Sequence, residues 1–171
     1  MTERPRLLAQ LKEDLALYDS WTRPGFHALA AHRIGVWRWR LSPAARAPVT
    51  AAYMVAQLMI RNVYGIELTS RTQVGRRLRL AHQGGVTVHP DVVIGDDCLI
   101  RHNVTIGIAA DDATAAPRLG DRVEVGAGAV IIGGVTIGDD ARIGPNAVVT
   151  TNVPPRAMAV ATPARVIPPA D

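Results

Sequence analysis

The sequence predicts a mainly β protein, in which a solenoid of parallel strands follows an α-helical module. Two periodicities predict this class. Over residues 1–64 apolar side chains recur at helical spacing, and from about residue 65 an aliphatic residue recurs at every sixth position. A period of six fits neither a helix nor a meander of hairpins, and it is typical of a parallel β-helix built from hexapeptides. We therefore expect a helical module over residues 1–64 and a β-helix domain over residues 65–171.

Three short helices are expected in the first module. Apolar residues between positions 7 and 18 lie on one helical face, and Pro24 with Gly25 ends that segment. A second helix follows, and Ser42 with Pro43 provides an N-cap and a first-turn proline for a third. The apolar run at 49–60 is shorter than the roughly 20 residues that cross a bilayer, so we expect no membrane span.

The hexads remain in frame to the C-terminal region, where six successive lines cover residues 119–154: LGDRVE, VGAGAV, IIGGVT, IGDDAR, IGPNAV and VTTNVP. The first residue of each line points into the solenoid, the small second residue permits the turn, and the fifth is packed. Cys98 holds a fifth position in the line IGDDCL, so we interpret it as a small buried hydrophobe and not as a nucleophile.

Charge and cysteine content restrict the partners. The formal net charge is +4 and the pI about 10.0, with Lys12 the only lysine among 19 basic residues. A basic surface could bind nucleic acid, a membrane face or a phosphorylated ligand, but no nucleic-acid-binding motif accompanies it, and we expect no nucleic acid partner. One cysteine excludes an internal disulfide, and no signal-peptide pattern is visible, so a cytoplasmic protein is expected.

Several motifs together resemble the serine O-acetyltransferases, a family of hexapeptide-repeat acyltransferases with a left-handed β-helix. The similarity runs from about residue 24 to residue 167 and includes GFHALAAHRIGVW, GIELTSRTQVGRRLRLAHQGG, IGDDCLI, NVTIG, VGAGAVIIGGVTIGDDARIGPNAVV and VPPRAMAVATPARVI. The resemblance implies acetyl-CoA as the donor, a homotrimer, and active sites between neighbouring solenoids. It also leaves open a branch that serves polysaccharide or secondary metabolism.

The resemblance assigns a catalytic pair. In the family a histidine followed three residues later by glycine is the general base, and His82 with Gly85 matches. An acidic residue fifteen positions earlier orients that base; here it is Glu67, where the family usually has aspartate. A neutral imidazole can take the proton of an acceptor hydroxyl as its oxygen attacks a thioester, and a carboxylate on the other ring nitrogen fixes the tautomer.

The resemblance also suggests acceptor contacts. Asp19 could replace an acidic contact from the N-terminal region, and Ala81 stands where the family carries an aspartate before the histidine. His102 follows His82 by twenty residues, and both are third in their hexads if the extra residues of this coil are Val86 and Thr87. The two histidines should then lie on the same side of adjacent coils.

Donor contacts are expected at four further positions. Gly-rich lines place Gly107, Ala127 and Gly128 where the pantetheine arm would approach the backbone, and Arg165 matches an arginine near the nucleotide end. Each glycine is also explained by a solenoid turn, and Arg165 equally by a solvated C-terminal charge. A loop at 108–118 breaks the hexad frame and should project across the site.

Three departures from the family pattern matter, and two of them concern the acceptor. Besides Ala81, the loop carries Ala115 and Ala116 before Pro117, where the family has an Arg-His pair. The C-terminal Pro-Pro-Ala-Asp differs from the isoleucine tail that docks on cysteine synthase, so we expect no such docking. We predict acetyl transfer to L-serine or a related small hydroxyl compound, with a sugar or polysaccharide hydroxyl as the alternative.

Two other functions stay open. A zinc enzyme like the γ-class carbonic anhydrases would need three histidine ligands, and the solenoid offers only His82, His89 and His102. His89 is second in its hexad beside Pro90 and should point elsewhere, so we expect no metal. A non-catalytic trimeric scaffold is the second alternative, and the retention of both Glu67 and His82 argues against it.

Overall fold

The computed structural model describes residues 7–82, 84–109 and 115–161. Its helical part contains α1 (Leu7–Leu15), α2 (Pro24–Trp37) and α3 (Pro43–Met59), with a 3-10 turn at Arg38–Arg40 and a π turn at Ile60–Tyr64. Ser42 and Pro43 occupy the predicted N-cap and first-turn positions of α3, although the Ser42 hydroxyl makes no cap hydrogen bond. In the described part of the chain, no helix is long and apolar enough to cross a membrane.

Short strands follow, and the described residues contain fourteen of them. They are β1 (Ile66–Leu68), β2 (Gln73–Val74), β3 (Arg79–Leu80), β4 (Val86–Val88), β5 (Val93–Ile94), β6 (Leu99–Ile100), β7 (Thr105–Gly107), β8 (Arg118–Leu119), β9 (Glu124–Val125), β10 (Val130–Ile132), β11 (Thr136–Ile137), β12 (Arg142–Ile143), β13 (Val148–Val149) and β14 (Met158–Ala159).

All strand pairs are parallel, and they form three sheets that we call faces. The first face has the order β1-β4-β7-β10-β13, the second β2-β5-β8-β11, and the third β3-β6-β9-β12-β14. Because consecutive strands belong to consecutive faces, the chain winds around a three-sided prism. This is the predicted β-helix, with the helices at its N-terminal end.

The register shows where the hexad frame is interrupted. Val130 pairs with Val148, eighteen residues on, as three hexads per coil require. Between the first and second coils the step is twenty residues, from Ile66 to Val86. Between the second and third it is twenty-five, from Val93 to Arg118, and this coil carries the loop that we placed at 108–118.

The two extra residues of the first coil are not Val86 and Thr87. The amide of Asn103 donates to the Gly84 carbonyl at 3.0 Å, as the amide of Gly128 donates to that of His102 at 3.0 Å. Gly84 therefore holds the third position that we assigned to His82. The insertion lies between Ala81 and Gly84, and Val86 instead stays buried in β4, where its side chain continues the aliphatic core.

The core is a column of aliphatic side chains that alternate with exposed residues along each strand. Fully buried examples from successive coils are Leu68, Val88, Ile106 and Ile131. Cys98 belongs to the same column: it is 1% exposed, its thiol donates to the Gly120 carbonyl at 3.2 Å, and burial raises its pKa to about 11. The interpretation of Cys98 as a buried hydrophobe is confirmed.

Buried polar contacts attach the helices to the first coil. The Arg33 guanidinium of α2 donates to the Asp14 carboxylate at 2.9 Å and to the Gly75 carbonyl at 2.6 Å, with both side chains at most 3% exposed. Burial raises the pKa of Asp14, against the opposing effect of Arg33. The Tyr18 hydroxyl accepts from the Leu80 amide at 3.1 Å. These bonds hold the helices over β2 and β3.

Candidate active site

A cleft of about 740 Å³ opens where the helices meet the first two coils of the prism. One wall comes from the segment between α1 and α2, and the other from residues around β3 and β6. The lining residues are Tyr18, Asp19, Arg23, Pro24, Gly25, Arg79, Leu80, Ala81, His82, Leu99, Arg101 and His102. Four predicted site residues are thus brought together in one cleft: Asp19, Ala81, His82 and His102.

His82 stands at the edge where the third face leads into the first. Leu80 is anchored in β3, Val86 in β4, and His82 is the first residue of the insertion between them. Its backbone is left-handed, with φ at 70°, and its side chain is exposed. Such a conformation is uncommon for a non-glycine residue, and outside the repeating turns of the solenoid it needs an explanation of its own. The insertion therefore moves the imidazole out of the hexad frame and into the cleft.

His102 lies on the next coil beside His82. The two ring centroids are 5.5 Å apart and the ring planes meet at 86°. The expectation that both histidines lie on the same side of adjacent coils is confirmed. Within the described residues, the buried Nδ1 atom of His102 has no hydrogen-bond partner.

Glu67 lies in the middle of β1, with an outward side chain that is exposed between buried Ile66 and Leu68. It pairs in register with Thr87, one coil above, on the strand that begins just after the His82 insertion. Among the described residues the structure records no hydrogen bond between Glu67 and His82. Catalytic hydrogen bonds are often long in the absence of substrate, so their pairing stays a prediction.

The other acceptor residues differ in their surroundings. Asp19 is 81% exposed and forms a 3.3 Å ion pair with Arg23 at the mouth of the cleft. Ala81 lies beside His82 and offers no charge where the family resemblance expects a carboxylate. Ala116 is packed against the prism core.

The predicted donor residues lie at other corners of the prism. Gly128 has φ at 72°, and a Cβ there would overlap the side-chain oxygen of Asn146, so the turn itself requires this glycine; Ala127 precedes it in the same turn. Gly107 ends β7, and a Cβ there would meet nothing within 4 Å. Gly133 is equally open, and its amide donates to the Gly107 carbonyl at 3.0 Å. Arg165 lies outside the described residues.

Four residues were not predicted from the sequence: three in the cleft, and one beside Gly107. Tyr18, Arg79 and Arg101 line the cleft, and Gly133 adjoins Gly107. The hexad frame contained the signal for the two arginines, because Arg79 directly precedes an inward position and Arg101 directly follows one on the same two coils as His82. Tyr18 carried no such signal, since its bond to the Leu80 amide joins residues 62 positions apart.

Metal ligands do not cluster in the described part of the chain, where no group of three His, Cys, Asp or Glu side chains could hold an ion. His89 turns toward its own loop, where its Nδ1 atom accepts from the Asp91 amide at 3.3 Å. The zinc-enzyme alternative therefore lacks its third histidine at the cleft.

Two family models match the solenoid. Residues 116–151 match the bacterial transferase hexapeptide (six repeats), and residues 91–109 match the hexapeptide repeat of succinyl-transferase. Together with the fold and the cleft, these matches define a hexapeptide-repeat acyltransferase.

Curated relatives narrow the class. The chain is 38% identical over 164 residues to the serine acetyltransferase of Helicobacter pylori strain J99, covering 92% of this chain and 91% of that one. It is 37% identical over 145 residues to the serine acetyltransferase of Mycobacterium tuberculosis. The match covers 84% of this chain and 61% of that protein. It is also 37% identical over 160 residues to the putative colanic acid biosynthesis acetyltransferase WcaB of Escherichia coli K12, covering 90% of this chain and 96% of that one.

Solved structures agree. Soybean serine acetyltransferase complexed with serine superposes with a TM-score of 0.78 at 31% identity, over 96% of this chain and 70% of that one. This protein belongs to the serine acetyltransferase family of hexapeptide acyltransferases.

Proposed function

We propose that this protein transfers an acetyl group from acetyl-CoA to an acceptor hydroxyl, with His82 as the general base. The observation that carries the proposal is the position of His82, which an insertion moves out of the prism and into a cleft shared with the helices. A residue that served only the solenoid would keep the hexad frame. The family membership supplies the reaction class.

The transfer balances without a covalent enzyme intermediate. The acceptor oxygen forms a bond to the thioester carbonyl carbon while its proton passes to His82. The tetrahedral intermediate then collapses, the C–S bond breaks, and the sulfur of CoA receives the proton that His82 took. The products are an O-acetyl ester and free CoA, so the imidazole ends each turnover in its starting state.

Glu67 is the positioning residue in this proposal. Its carboxylate would accept a hydrogen bond from the second ring nitrogen of His82 and stabilise the imidazolium as it forms. The support is its outward direction from β1 and its register with Thr87 near the insertion. The glutamate has one more methylene than the aspartate usual in the family, and it can extend that much further toward the ring.

The donor would lie along the open backbone at Gly107 and Gly133, where no atom of the described residues lies within 4 Å of the place that a Cβ would take. This strip is at the edge where the first face leads into the second, whereas His82 is at the opposite edge of the first face. One prism therefore presents its base and its donor strip on different edges. We propose a homotrimer, in which the edge of one chain that carries His82 meets the edge of its neighbour that carries the donor strip.

An exposed apolar stripe on α3 supports the trimer. Met54, Val55, Leu58 and Met59 are each more than half exposed at helical spacing, and no residue of α3 is buried in the single chain. Apolar surface of this kind marks contact sites, and further copies of this chain are the proposed occupants. Cys98 is a free buried thiol, which fits the reducing cytoplasm that we propose as the location.

L-serine is the first acceptor to consider, because the relatives include serine acetyltransferases and the soybean structure holds serine. A sugar hydroxyl is the second, and Ala81 specifically favours it. Without a carboxylate there, an acceptor ammonium loses a partner whose charge-assisted bond contributes about 1.5–3 kcal/mol. The relative WcaB, which is named for colanic acid biosynthesis, matches this chain over nearly its own full length.

The test is release of free thiol from acetyl-CoA, with mass spectrometry of the products, for L-serine and for a panel of hydroxylated sugars. A product heavier by one acetyl group, formed only in the presence of an acceptor, supports the proposal. The unfolding temperature with and without CoA distinguishes the acetyltransferase from a non-catalytic scaffold, since CoA does not stabilise a protein that does not bind it. No acetylated product with any acceptor, at protein concentrations where CoA binds, contradicts the proposal.

A further inference from the structure

Two arginines of the cleft differ from most arginines on the prism. Within the described residues, Arg79 and Arg101 form neither an ion pair nor a hydrogen bond through their side chains, and both are exposed. Five other arginines of the prism have carboxylate partners: Arg71, Arg76, Arg77, Arg122 and Arg142. The third arginine of the cleft, Arg23, is paired with Asp19. Among the described residues, the cleft thus holds two positive charges without a carboxylate partner.

Both charges are close in the fold to the proposed base. Arg79 precedes Leu80 in β3, and Leu80 pairs with Ile100 in β6, which Arg101 follows directly. The Ala81 amide donates to the Ile100 carbonyl at 2.8 Å, so Arg101 is next to Ala81 on the adjacent coil. Because residues on either side of an inward position point outward, both arginine side chains leave the prism on the wall that carries His82.

The charge balance disfavours a zwitterionic acceptor. The carboxylate of an amino acid could pair with a guanidinium, but its ammonium group would lack a free partner, because the one carboxylate among the described lining residues, Asp19, already pairs with Arg23. A guanidinium presents a planar fork of donors that matches a carboxylate or a phosphate in two parallel hydrogen bonds. The cleft is also within the volume range of sites that enclose small ligands.

We propose that Arg79 and Arg101 select an anionic acceptor, namely a sugar whose carboxylate or phosphate group lies between the two guanidinium groups while one of its hydroxyls reaches His82. This inference rests on the proposed function and adds the substrate class. The transfer itself is unchanged, since the anionic group stays intact and only the hydroxyl is acetylated. Ala81 leaves the space beside Arg101 free of the carboxylate that would otherwise neutralise it.

The test uses three matched probes, glucose, glucuronate and glucose 6-phosphate, together with L-serine. Binding to the full chain is measured by isothermal titration calorimetry, and acetyl transfer by thiol release. We expect at least one of the two anionic sugars to bind at least about tenfold more tightly than glucose, and the preference to weaken as salt is raised. Which anion is preferred distinguishes a carboxylated from a phosphorylated acceptor.

The variants Arg79→Gln and Arg101→Gln should each remove about tenfold of that preference, because each deletes one charge-assisted contact. Both side chains are exposed and make no hydrogen bond to another described residue, so the variants should fold. Arg71→Gln, which removes an exposed arginine outside the cleft, is the matched control and should leave binding unchanged. The KM for acetyl-CoA should stay constant in both cleft variants.

Three results overturn the inference: equal or tighter binding of glucose or L-serine, binding of neither anionic sugar, or a higher KM for acetyl-CoA as the main effect of the cleft variants. The last result would assign the arginines to the phosphates of the donor. Arginine-dependent binding of an anionic sugar without acetyl transfer to any acceptor would contradict the proposed function and retain the anion site. Equal transfer to neutral and anionic acceptors would support the proposed function and contradict the anion site.

Discussion

At the scale of single residues, His82 has a left-handed backbone that the hexad repeat does not explain. Seven non-glycine residues with positive φ hold the fourth position of their hexads: Arg77, Asp97, Asn103, Arg122, Asp140, Asn146 and Arg156. Arg156 is counted from Val153, which pairs with Ile137 and restarts the frame inside the line VTTNVP. Their conformation is part of the repeating turn. His82 has φ at 70° but belongs to the insertion, so the repeat does not explain its conformation. The insertion holds a strained residue where the imidazole faces the cleft.

His82→Gly should therefore separate stability from activity. Glycine adopts positive φ without the cost of about 1–2 kcal/mol that an L side chain meets there, and this relief offsets the larger chain entropy that glycine loses on folding. We expect the free energy of unfolding to stay at or above that of the unchanged protein while acetyl transfer is lost. Denaturant unfolding and thiol release measure the two quantities. A marked loss of stability would mean that the imidazole holds the corner together.

Glu67→Gln tests the positioning residue. Removal of the charge that stabilises the imidazolium should lower kcat by about 10–100-fold, the equivalent of one charge-assisted hydrogen bond, and leave the KM for acetyl-CoA unchanged. Glu124→Gln is the matched control, because Glu124 is an exposed glutamate of β9 outside the cleft. Unchanged kcat in Glu67→Gln would remove the carboxylate from the mechanism.

At the scale of elements, the sequence predicted the solenoid well and its irregularities less well. The six-residue period predicted the aliphatic column, the buried Cys98 and the loop in the third coil. It misplaced the insertion, because a frame count sees two extra residues without showing which of them leave the prism. The backbone hydrogen bonds that place Gly84 in register with His102 show that the insertion lies between Ala81 and Gly84.

The attachment of the helices was not predictable from periodicity either. The buried pair of Asp14 and Arg33 joins residues nineteen positions apart and continues to the carbonyls of β2 and the turn after it. A charged residue at a helical position is usually solvated, and only the arrangement of the folded chain shows that these two are not. Arg79 and Arg101 illustrate the same limit, since only the folded cleft shows that they have no carboxylate partner among the described residues.

Two glycine substitutions should separate the turns from the donor strip. Gly128→Ala places a Cβ against Asn146 at positive φ, so it should lower the free energy of unfolding by about 1–3 kcal/mol. Gly107→Ala meets open space and should leave stability nearly unchanged while raising the KM for acetyl-CoA. Thermal unfolding and donor-dependent kinetics measure the two effects. An unchanged donor KM in Gly107→Ala would move the donor path elsewhere on the prism.

At the scale of the whole molecule, the two edges of one prism need neighbours. We expect a trimer, which for chains of 18.3 kDa has a mass of about 55 kDa by light scattering. Leu58→Glu on the exposed face of α3 should weaken assembly and activity together, because it introduces a charge into an apolar contact. Leu8→Glu on α1 is the control at another exposed leucine. An active monomer would contradict the shared site.

Acid stability follows from the ion pairs that connect the coils and α1. Hydrogen bonds from Arg76 and Arg77 lower the pKa of Glu13, and Arg77 likewise lowers the pKa of Asp97. Since both folded-state pKa values lie below the ordinary values of 4.5 and 3.8, these carboxylates stabilise the fold above that range, and the contribution disappears as the pH falls through the lowered values.

The unfolding temperature should therefore fall as the pH is lowered from about 5 to about 3, and Arg77→Gln should flatten this dependence. Arg79→Gln, whose arginine has no carboxylate partner among the described residues, should keep the slope of the unchanged protein. The same slope in all three proteins would mean that other carboxylates control acid unfolding.

The measurement that tests the catalytic assignment most directly compares turnover and donor binding in His82→Ala. Loss of a general base should lower acetyl transfer by about 10²–10⁴-fold, while CoA still binds with the affinity of the unchanged protein. The measurement pairs thiol release, with an acceptor that the unchanged protein acetylates, with calorimetric titration of CoA. Retained turnover in His82→Ala would contradict a role for His82 as the base, and the reaction would need another proton acceptor in the cleft.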